Sequence, residues 1–418
     1  MKALVFHRRR DVRVERVPDP RIEDARDVIV KVSCASICAS DLRIYAGLSG
    51  RENPLILGRE FMGVVVAVGP RVRNLKNGDR VVVPYPVSCG SCFFCARGLP
   101  AHCEHFNTGA PGSGGAYGLD DDLFDAVDEY GSYSGGQAQY VRVPFADVGP
   151  RKVPDELSDE SALFLSDTLP AGWTAAEWCE IKGGETVAVF GCGSVGLVAM
   201  KAARLQGAER VIAIDILPYR REAARRLAGA EAVDPEAEDP VEAVRRLTRG
   251  RGADACIDAA GVESGRGLMG SISHALRRHG AGADGLRSAI GAVRRGGVVS
   301  AIGMHRTPVA DAHVDEIFAK GLRLRGGQAP VQSCIDKLMD MAVSRSLTAE
   351  DLVTHRLPLG EAPRAYRMLD EKSEDCLKIV LRPWEKDAPE KLATAVIDEL
   401  GPEPLPLPRG AGAPMPVF

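Results

Sequence analysis

Residues 186–196 read TVAVFGCGSVG, a short apolar run that leads directly into glycines at the first, third and sixth positions of a G-x-G-x-x-G pattern. Apolar residues then recur at helical spacing as far as Leu205, which predicts a helix after the turn. Such a turn lets the backbone approach a pyrophosphate, and the helix N-terminus offers N–H groups and positive dipole charge. The residues expected to bind a dinucleotide are therefore Gly191, Gly193, Ser194, Val195 and Gly196.

A second apolar run, Arg210–Ile214, ends at Asp215, about twenty residues beyond the glycines. A carboxylate at this place accepts both adenosine ribose hydroxyls and repels a 2′-phosphate, so we expect NAD to be favoured over NADP. Arg220, which we also expect at the cofactor site, and Arg221 complicate this preference because they lie close by. The alternative is that Asp215 only caps the helix that starts near Pro218.

Length and composition indicate an ordinary globular protein of two domains, because 418 residues exceed what one hydrophobic core usually supports. The formal net charge of −4 gives no reason to expect a nucleic-acid or membrane partner. Neither a transmembrane run nor a secretory signal is recognisable, so we expect a cytoplasmic protein. Its eleven cysteines are then reduced, and metal ligation explains a cluster of them better than disulfides.

The first ninety or so residues consist of short β-branched runs separated by turn signals, which predicts a compact antiparallel β-barrel. The runs are residues 3–6, 12–14, 28–32, 63–68 and 80–83, and the one convincing helix is around residues 39–45. Further strand-like runs at 253–258 and 297–302 continue the alternating β/α pattern that is expected of a parallel sheet.

A segment at about residues 86–106 contains Cys89, Cys92, Cys95 and Cys103. Short C-x-x-C steps let backbone turns point successive sulfurs at one ion, so the spacing predicts a closed tetrahedral zinc site. Because no open ligand position is implied, this zinc is expected to be structural and to hold a lobe with little apolar core of its own.

This cysteine segment, SICASDL at 36–42, GRE at 58–60 and the glycine turn together resemble the medium-chain zinc-dependent alcohol dehydrogenase superfamily. Four further stretches resemble its glutathione-independent formaldehyde dehydrogenase branch: GAYG at 115–118, GGQAQYV at 135–141, LSDTLP at 165–170 and GQAPV at 327–331. The resemblance covers residues 1–384 and several of its motifs are specific.

The resemblance implies an α/β protein with two domains, a GroES-like β-barrel catalytic domain and a Rossmann domain with a doubly wound parallel sheet. We assign residues 1–168 to the catalytic domain, 169–318 to the Rossmann domain, 319–385 to its edge strand and the return to the catalytic domain, and 386–418 to a Pro/Gly-rich tail. In the family an edge strand commonly pairs subunits, so residues 322–325 predict a homodimer or homotetramer. A glycine-rich segment at 265–285 is interpreted as a surface insertion.

The resemblance also implies a catalytic zinc that polarises the substrate oxygen while hydride passes between substrate and nicotinamide. A cysteine, a histidine and an aspartate are the ligands expected in this branch, and Cys38 and Asp167 match two of them. Arg59 stands in place of the histidine and offers no lone pair to a metal. Arg43 replaces the histidine that commonly relays the alcohol proton, although Ser40, the first hydroxyl of that relay, is present.

Three hypotheses follow for this site. Zinc is bound by Cys38, Glu60 and Asp167, since carboxylates are sound zinc ligands. Alternatively, Arg59 takes the place of the metal, pairs with Asp167 and Cys38, and hydrogen-bonds a substrate oxygen. In the third hypothesis, Cys38, Arg59 and Asp167 are a structural remnant and the protein has lost its catalytic activity.

We therefore predict an NAD-dependent oxidoreductase that acts on a small alcohol or aldehyde, and on an anionic one if Arg59 replaces the metal. The alternative from another class is a nucleotide-binding scaffold or regulator that retains only the fold.

Overall fold

The structure is a computed structural model that describes residues 1–47, 54–106, 133–260, 285–303 and 314–385. The GAYG motif at 115–118, residues 265–284 of the expected insertion and the tail at 386–418 lie outside the described residues. No helix within the described ranges is long and apolar enough to cross a membrane.

The strands alternate with helices in the second half of the chain and dominate the first. The strands are β1 (Lys2–Arg8), β2 (Asp11–Arg16), β3 (Val28–Ser36), β4 (Leu55–Ile56), β5 (Glu60–Val68), β6 (Arg80–Val83), β7 (Tyr140–Val143), β8 (Arg151–Lys152), β9 (Thr186–Phe190), β10 (Arg210–Ile214), β11 (Glu231–Val233), β12 (Ala253–Asp258), β13 (Val293–Ala301), β14 (Arg323–Gly326), β15 (Val353–Pro358) and β16 (Lys378–Arg382). The helices are α1 (Ala39–Tyr45), α2 (Asp159–Leu163), α3 (Thr168–Glu177), α4 (Ser194–Leu205), α5 (Pro218–Ala228), α6 (Pro240–Leu247), α7 (Gly285–Ala292), α8 (Val314–Lys320), α9 (Val331–Val343) and α10 (Ala362–Glu371).

Six strands form one parallel sheet in the order β11-β10-β9-β12-β13-β14. The strand order reverses between β9 and β12, and this is where open α/β sheets bind ligands at the carboxyl ends of their strands. The predicted helix after the glycine turn is α4, and the doubly wound sheet that the sequence predicted is confirmed. Its middle strands are continuously apolar because helices cover both faces.

The first domain contains a mixed sheet in the order β15-β16-β3-β5-β6-β8, with β7 also paired to β3, and a smaller sheet β2-β1-β4. All neighbouring strands here are antiparallel except β15 and β16. The five predicted runs all lie in these strands, and the predicted helix is α1. Because β15 and β16 come from the C-terminal segment, the chain returns to its first domain.

The edge strand that was expected at 322–325 is β14, the last strand of the parallel sheet, and all four of its residues are exposed. Leu324 on this strand and Phe318 on the preceding helix α8 are among the exposed large apolar side chains, at 45% and 88% exposure. The three boundaries proposed from the sequence, after residues 168, 318 and 385, stay predictions.

Candidate active site

The glycine turn connects β9 to α4, and each of its three glycines meets a different steric demand. Gly191 has φ of +96°, and a Cβ there would lie 2.8 Å from Cα of Ala260. A Cβ on Gly196 would lie 1.9 Å from the carbonyl oxygen of Gly191, so the helix packs against the turn with no room for a side chain. At Gly193 the nearest atom to a Cβ is a guanidinium nitrogen of Arg220 at 4.0 Å, which leaves space for a ligand. This arrangement fits a pyrophosphate cradle.

Asp215 follows β10, and backbone N–H groups of the glycine turn and of its own loop hold its carboxylate in place. Its Oδ2 accepts a hydrogen bond from the backbone N–H of Cys192 at 2.7 Å, and its Oδ1 accepts one from that of Leu217 at 2.8 Å. Nη1 of Arg220 lies 3.7 Å from Oδ2, so this guanidinium stands between the carboxylate and the glycine turn. Arg221 is engaged by the carbonyl of Asp215 and by Asp234. Asp215, Arg220 and the glycine turn, all predicted at the cofactor site, therefore lie together.

The four cysteines of the lobe converge as the spacing predicted. Their sulfurs all lie within 4.8 Å of one another, which makes them the one group of three or more metal-type ligands found among the described residues. Backbone N–H groups already point at the sulfurs, from Cys92 to Cys89 Sγ at 3.3 Å and from Cys89 to Cys103 Sγ at 3.4 Å. Four convergent thiols with backbone donors fit a structural zinc ion.

Cys38 lies between β3 and α1, where the backbone is extended before the helix begins. Its Sγ is 2.7 Å from Oγ of Ser40, and the thiol donates to Oδ2 of Asp41 at 3.2 Å. The backbone N–H of Cys38 binds the same carboxylate oxygen at 2.8 Å, which fixes the turn. Burial raises the pKa of the Cys38 thiol above its ordinary value and raises the pKa of Asp41 to about 6. Burial therefore favours the neutral thiol of Cys38 over its thiolate.

Arg59 and Asp167 form a bidentate ion pair, and these two residues together with Cys38 and Glu60 define the candidate cleft. Nε of Arg59 donates to Oδ2 of Asp167 at 2.8 Å, and Nη2 donates to Oδ1 at 3.2 Å. The side chains are 18% and 4% exposed, so the pair is largely withdrawn from water. Burial alone would lower the pKa of Arg59, but the attraction of Asp167 outweighs it and the guanidinium stays charged. The aspartate expected to bind zinc is thus already neutralised by a cation of the protein.

Glu60 is neutralised in the same way by a lysine that the sequence analysis did not single out. Its Oε2 lies 2.5 Å from Nζ of Lys378, and its Oε1 accepts a hydrogen bond from Oγ1 of Thr168 at 2.6 Å. Both charged side chains are completely buried, at 2% and 0% exposure. Nζ of Lys378 also donates to the carbonyl of Ile37 at 3.3 Å, next to Cys38.

The segments 59–60 and 167–168 therefore run beside each other, with Arg59 bonded to Asp167 and Glu60 bonded to Thr168. The carboxylates of Glu60 and Asp167, which a zinc ion would need as ligands, are thus each already paired with a cation of the protein. Cys38, Glu60 and Asp167 do not form a convergent ligand group among the described residues. The catalytic zinc that the resemblance implies does not fit these side chains as they stand.

The remaining expected residues are also buried in this region. Ser40 is 4% exposed and Arg43, on the same helix α1, is 7% exposed. Two functional neighbours were missed by the sequence analysis, although each had a signal. Lys378 interrupts the apolar run 376–381, and a lone charge in such a run indicates a buried ion pair. Tyr85 stands between two prolines directly before the cysteine segment.

Comparisons with known proteins agree with this geometry. Residues 24–155 match the family model of the alcohol dehydrogenase GroES-like domain, and residues 194–281 match that of the zinc-binding dehydrogenases. A zinc-type alcohol dehydrogenase-like protein of Bacillus subtilis is 37% identical over 387 residues, covering 92% of this chain and 100% of that protein.

The glutathione-independent formaldehyde dehydrogenase of Pseudomonas aeruginosa is 32% identical and covers 86% of this chain and 92% of its own length. Among solved structures, the alcohol dehydrogenase TADH from Thermus sp. ATN1 superimposes with a TM-score of 0.75 at 36% identity, covering 91% of this chain and 99% of that chain. The chain therefore belongs to the medium-chain zinc-dependent alcohol dehydrogenase superfamily, whose members are nicotinamide-dependent oxidoreductases.

Proposed function

We propose that this protein is an NAD-dependent oxidoreductase that interconverts a small alcohol and its carbonyl compound, with the Arg59–Asp167 pair in the place of a catalytic metal ion. The observation that carries this proposal is the two-pronged ion pair itself. Arg59 occupies both oxygens of the Asp167 carboxylate, which a metal ion would need as a ligand, and it brings a fixed positive charge to the cleft.

Arg59 retains hydrogen-bonding capacity for a substrate. Asp167 uses Nε and Nη2, and no other described residue accepts a hydrogen bond from Nη1. A guanidinium N–H that is held rigidly can bind a carbonyl oxygen and stabilise the negative charge that develops on it during reduction, or on the alcohol oxygen during oxidation. The same group would favour substrates that carry an anion near the reacting carbon.

The coenzyme site supports NAD as the partner of this reaction. Gly193 leaves room for the pyrophosphate at the start of α4, and the carboxylate of Asp215 stands where the adenosine ribose is expected. Bound nicotinamide supplies or accepts the hydride. Arg220, between Asp215 and the glycine turn, is placed to contact a phosphate, so we expect NADP to bind more weakly and not to be rejected entirely.

We further propose that the four-cysteine lobe holds one structural zinc ion, and that two copies of the chain pair along the exposed edge strand β14. The exposed apolar side chains of Phe318 and Leu324 beside this edge support such pairing. Metal analysis of the purified protein together with its mass in solution tests both statements.

Metal counting and kinetics test the main proposal together. We expect one zinc per subunit in the wild type, and two would contradict the arginine-based site. With an NADH-coupled panel of alcohols and aldehydes, Arg59→Met is expected to lower kcat by about a hundredfold or more, as loss of an oxyanion-binding donor does. Arg59→Lys keeps the positive charge but loses the planar guanidinium that donates two parallel hydrogen bonds. Its kcat should therefore lie between that of Arg59→Met and that of the wild type.

The second candidate is a non-catalytic nucleotide-binding scaffold. The buried Cys38 thiol, which donates to Asp41, and the pairing of Glu60 and Asp167 with cations favour it, because these three groups already have partners within the protein. It predicts that the protein binds NADH, measured by fluorescence titration, without turning over any member of the same panel.

A further inference from the structure

Tyr85 lies against Arg59 and takes no part in the chemistry proposed above. The centroid of its ring is 4.3 Å from Cζ of Arg59, which is a cation–π stacking distance. Asp167 holds the guanidinium along one edge through two hydrogen bonds, whereas the aromatic ring covers a face. The two contacts are independent, and together they restrict both the position and the tilt of the planar group.

Tyr85 is itself fixed by its main chain and by burial. Its backbone N–H donates to the carbonyl oxygen of Ser166 at 3.2 Å, one residue before Asp167. The whole residue is 4% exposed, and burial raises the pKa of its phenol although the nearby backbone of Ala329 acts in the opposite direction. Tyr85 is therefore a rigid support for its neighbour and not a mobile side chain at the surface.

Ala329 places this support between two parts of the molecule. It follows β14, the edge strand of the nucleotide-binding sheet, and precedes α9. Arg59 and Asp167, in contrast, lie just before β5 and just before α3. Tyr85 thus lies between the arginine of the catalytic domain and a segment that follows the edge strand of the nucleotide-binding sheet.

We propose that Tyr85 is a positioning residue for Arg59: its ring fixes the guanidinium so that Nη1 faces the substrate. The catalytic part of this inference rests on the proposed function of Arg59. Its structural part, that the ring shields and orients Arg59, can be measured without turnover.

The test compares Tyr85→Leu, which removes the ring, with Tyr85→Phe, which removes only the hydroxyl. Tyr133→Leu is the matched control, because the Tyr133 ring stacks with Arg142 at 5.0 Å elsewhere in the catalytic domain. Steady-state kcat and KM are measured for each variant. The rate at which phenylglyoxal modifies Arg59 is followed in parallel by mass spectrometry of the peptide that contains it.

We expect Tyr85→Leu to lower kcat about tenfold at an unchanged KM for NAD, and to increase the modification rate of Arg59 severalfold. Tyr85→Phe retains the ring, so it should keep both the shielding of Arg59 and most of kcat. Tyr133→Leu should change neither quantity.

Unchanged kcat and unchanged Arg59 modification in Tyr85→Leu would overturn the proposal, and so would an equal loss in Tyr133→Leu, which would indicate general destabilisation. If the wild type turns over no substrate, the proposed function has failed. The modification rate then decides the positioning role alone: an unaltered rate in Tyr85→Leu rejects it and a raised rate supports it.

Discussion

Two regions of this molecule carry side chains of the kinds that bind metals, and their surroundings differ. In the lobe, four cysteine sulfurs lie within 4.8 Å of one another and receive hydrogen bonds from backbone N–H groups. In the cleft, Asp167 is paired with Arg59, Glu60 is paired with Lys378, and the Cys38 thiol donates to Asp41. The difference is that both carboxylates of the cleft are already paired with a cation of the protein, and a carboxylate neutralised in this way has less to gain from a metal ion.

The largest effect is expected when the lobe loses a ligand. Cys103→Ser should reduce bound zinc from one per subunit to nearly none, because structural zinc sites contribute an apparent free energy of binding of about 10–16 kcal/mol. The thermal unfolding midpoint should fall as well. Cys334→Ser, outside the cluster, is the control and should retain the metal. Full zinc content in Cys103→Ser would show that the lobe is not a metal site.

The second prediction concerns the cations of the cleft. Lys378→Met leaves the carboxylate of Glu60 buried without a counter-ion, and such losses destabilise by about 3–5 kcal/mol in the free energy of unfolding. Adding Glu60→Gln removes the stranded charge and should restore most of that loss. Urea unfolding of both variants measures the free energy of unfolding. A double variant as unstable as Lys378→Met alone would argue against the Lys378–Glu60 ion pair.

The pH dependence of this pair has a definite sign. Burial alone would lower the pKa of Lys378, but attraction to Glu60 outweighs it and raises the pKa above its ordinary value of 10.5. The stability that comes from the raised pKa of Lys378 is therefore fully present below its unfolded pKa of 10.5 and is lost as pH rises through the folded pKa. On raising the pH from neutral, wild type and Lys378→Met should approach each other in stability only under strongly alkaline conditions.

A third variant tests whether the cleft can be converted into a metal site like that of the four-cysteine lobe. Arg59→His frees Asp167 and supplies a nitrogen lone pair beside Cys38, so bound zinc should rise from one toward two per subunit. Losing the charged hydrogen bonds should cost about 1.5–3 kcal/mol of stability in the metal-free protein. Arg59→Gln removes the same cation without adding a strong ligand and is the control. Equal zinc in the two variants would mean that more than Arg59 excludes the ion.

The smallest effect is expected for an ion-pair cluster that water reaches. Glu160 binds Arg356 and Arg382, whose side chains are 47% and 43% exposed. Burial would raise the pKa of Glu160, but hydrogen bonds from the two arginines outweigh it and lower the pKa. Glu160→Gln should cost less than about 1 kcal/mol at pH 7, because exposed pairs are screened. The difference should disappear as pH falls below 4.5 through the folded pKa, as followed by acid unfolding.

Much of the fold could be predicted because its signals are local. The G-x-G-x-x-G turn, the strand before it and the helix after it lie within twenty residues, from Thr186 to Leu205. The four cysteines lie within a single segment, so their spacing alone predicts that the sulfurs meet. In both places the backbone geometry follows from short-range steric rules, and the structure places the residues together as expected.

The substrate side of the cleft could be predicted only in part. Arg59 is visible in the sequence as a departure from the family pattern, but whether it points at Asp167 is not. The counterpart of Glu60, Lys378, lies 318 residues away and carries no motif. A single charge in an apolar strand indicates that some partner must exist, because an unpaired buried charge is too costly, yet it does not say which.

The sequence by itself therefore determined the coenzyme turn, the cysteine lobe and the family, since each depends on residues that are neighbours along the chain. Only the tertiary structure decided which charges meet in the cleft, because Arg59 and Asp167 are 108 residues apart and β16 returns from the C-terminal segment to deliver Lys378. Electrostatic pairing depends on distance in space and on exclusion of water, and neither can be predicted from the order of the residues along the chain.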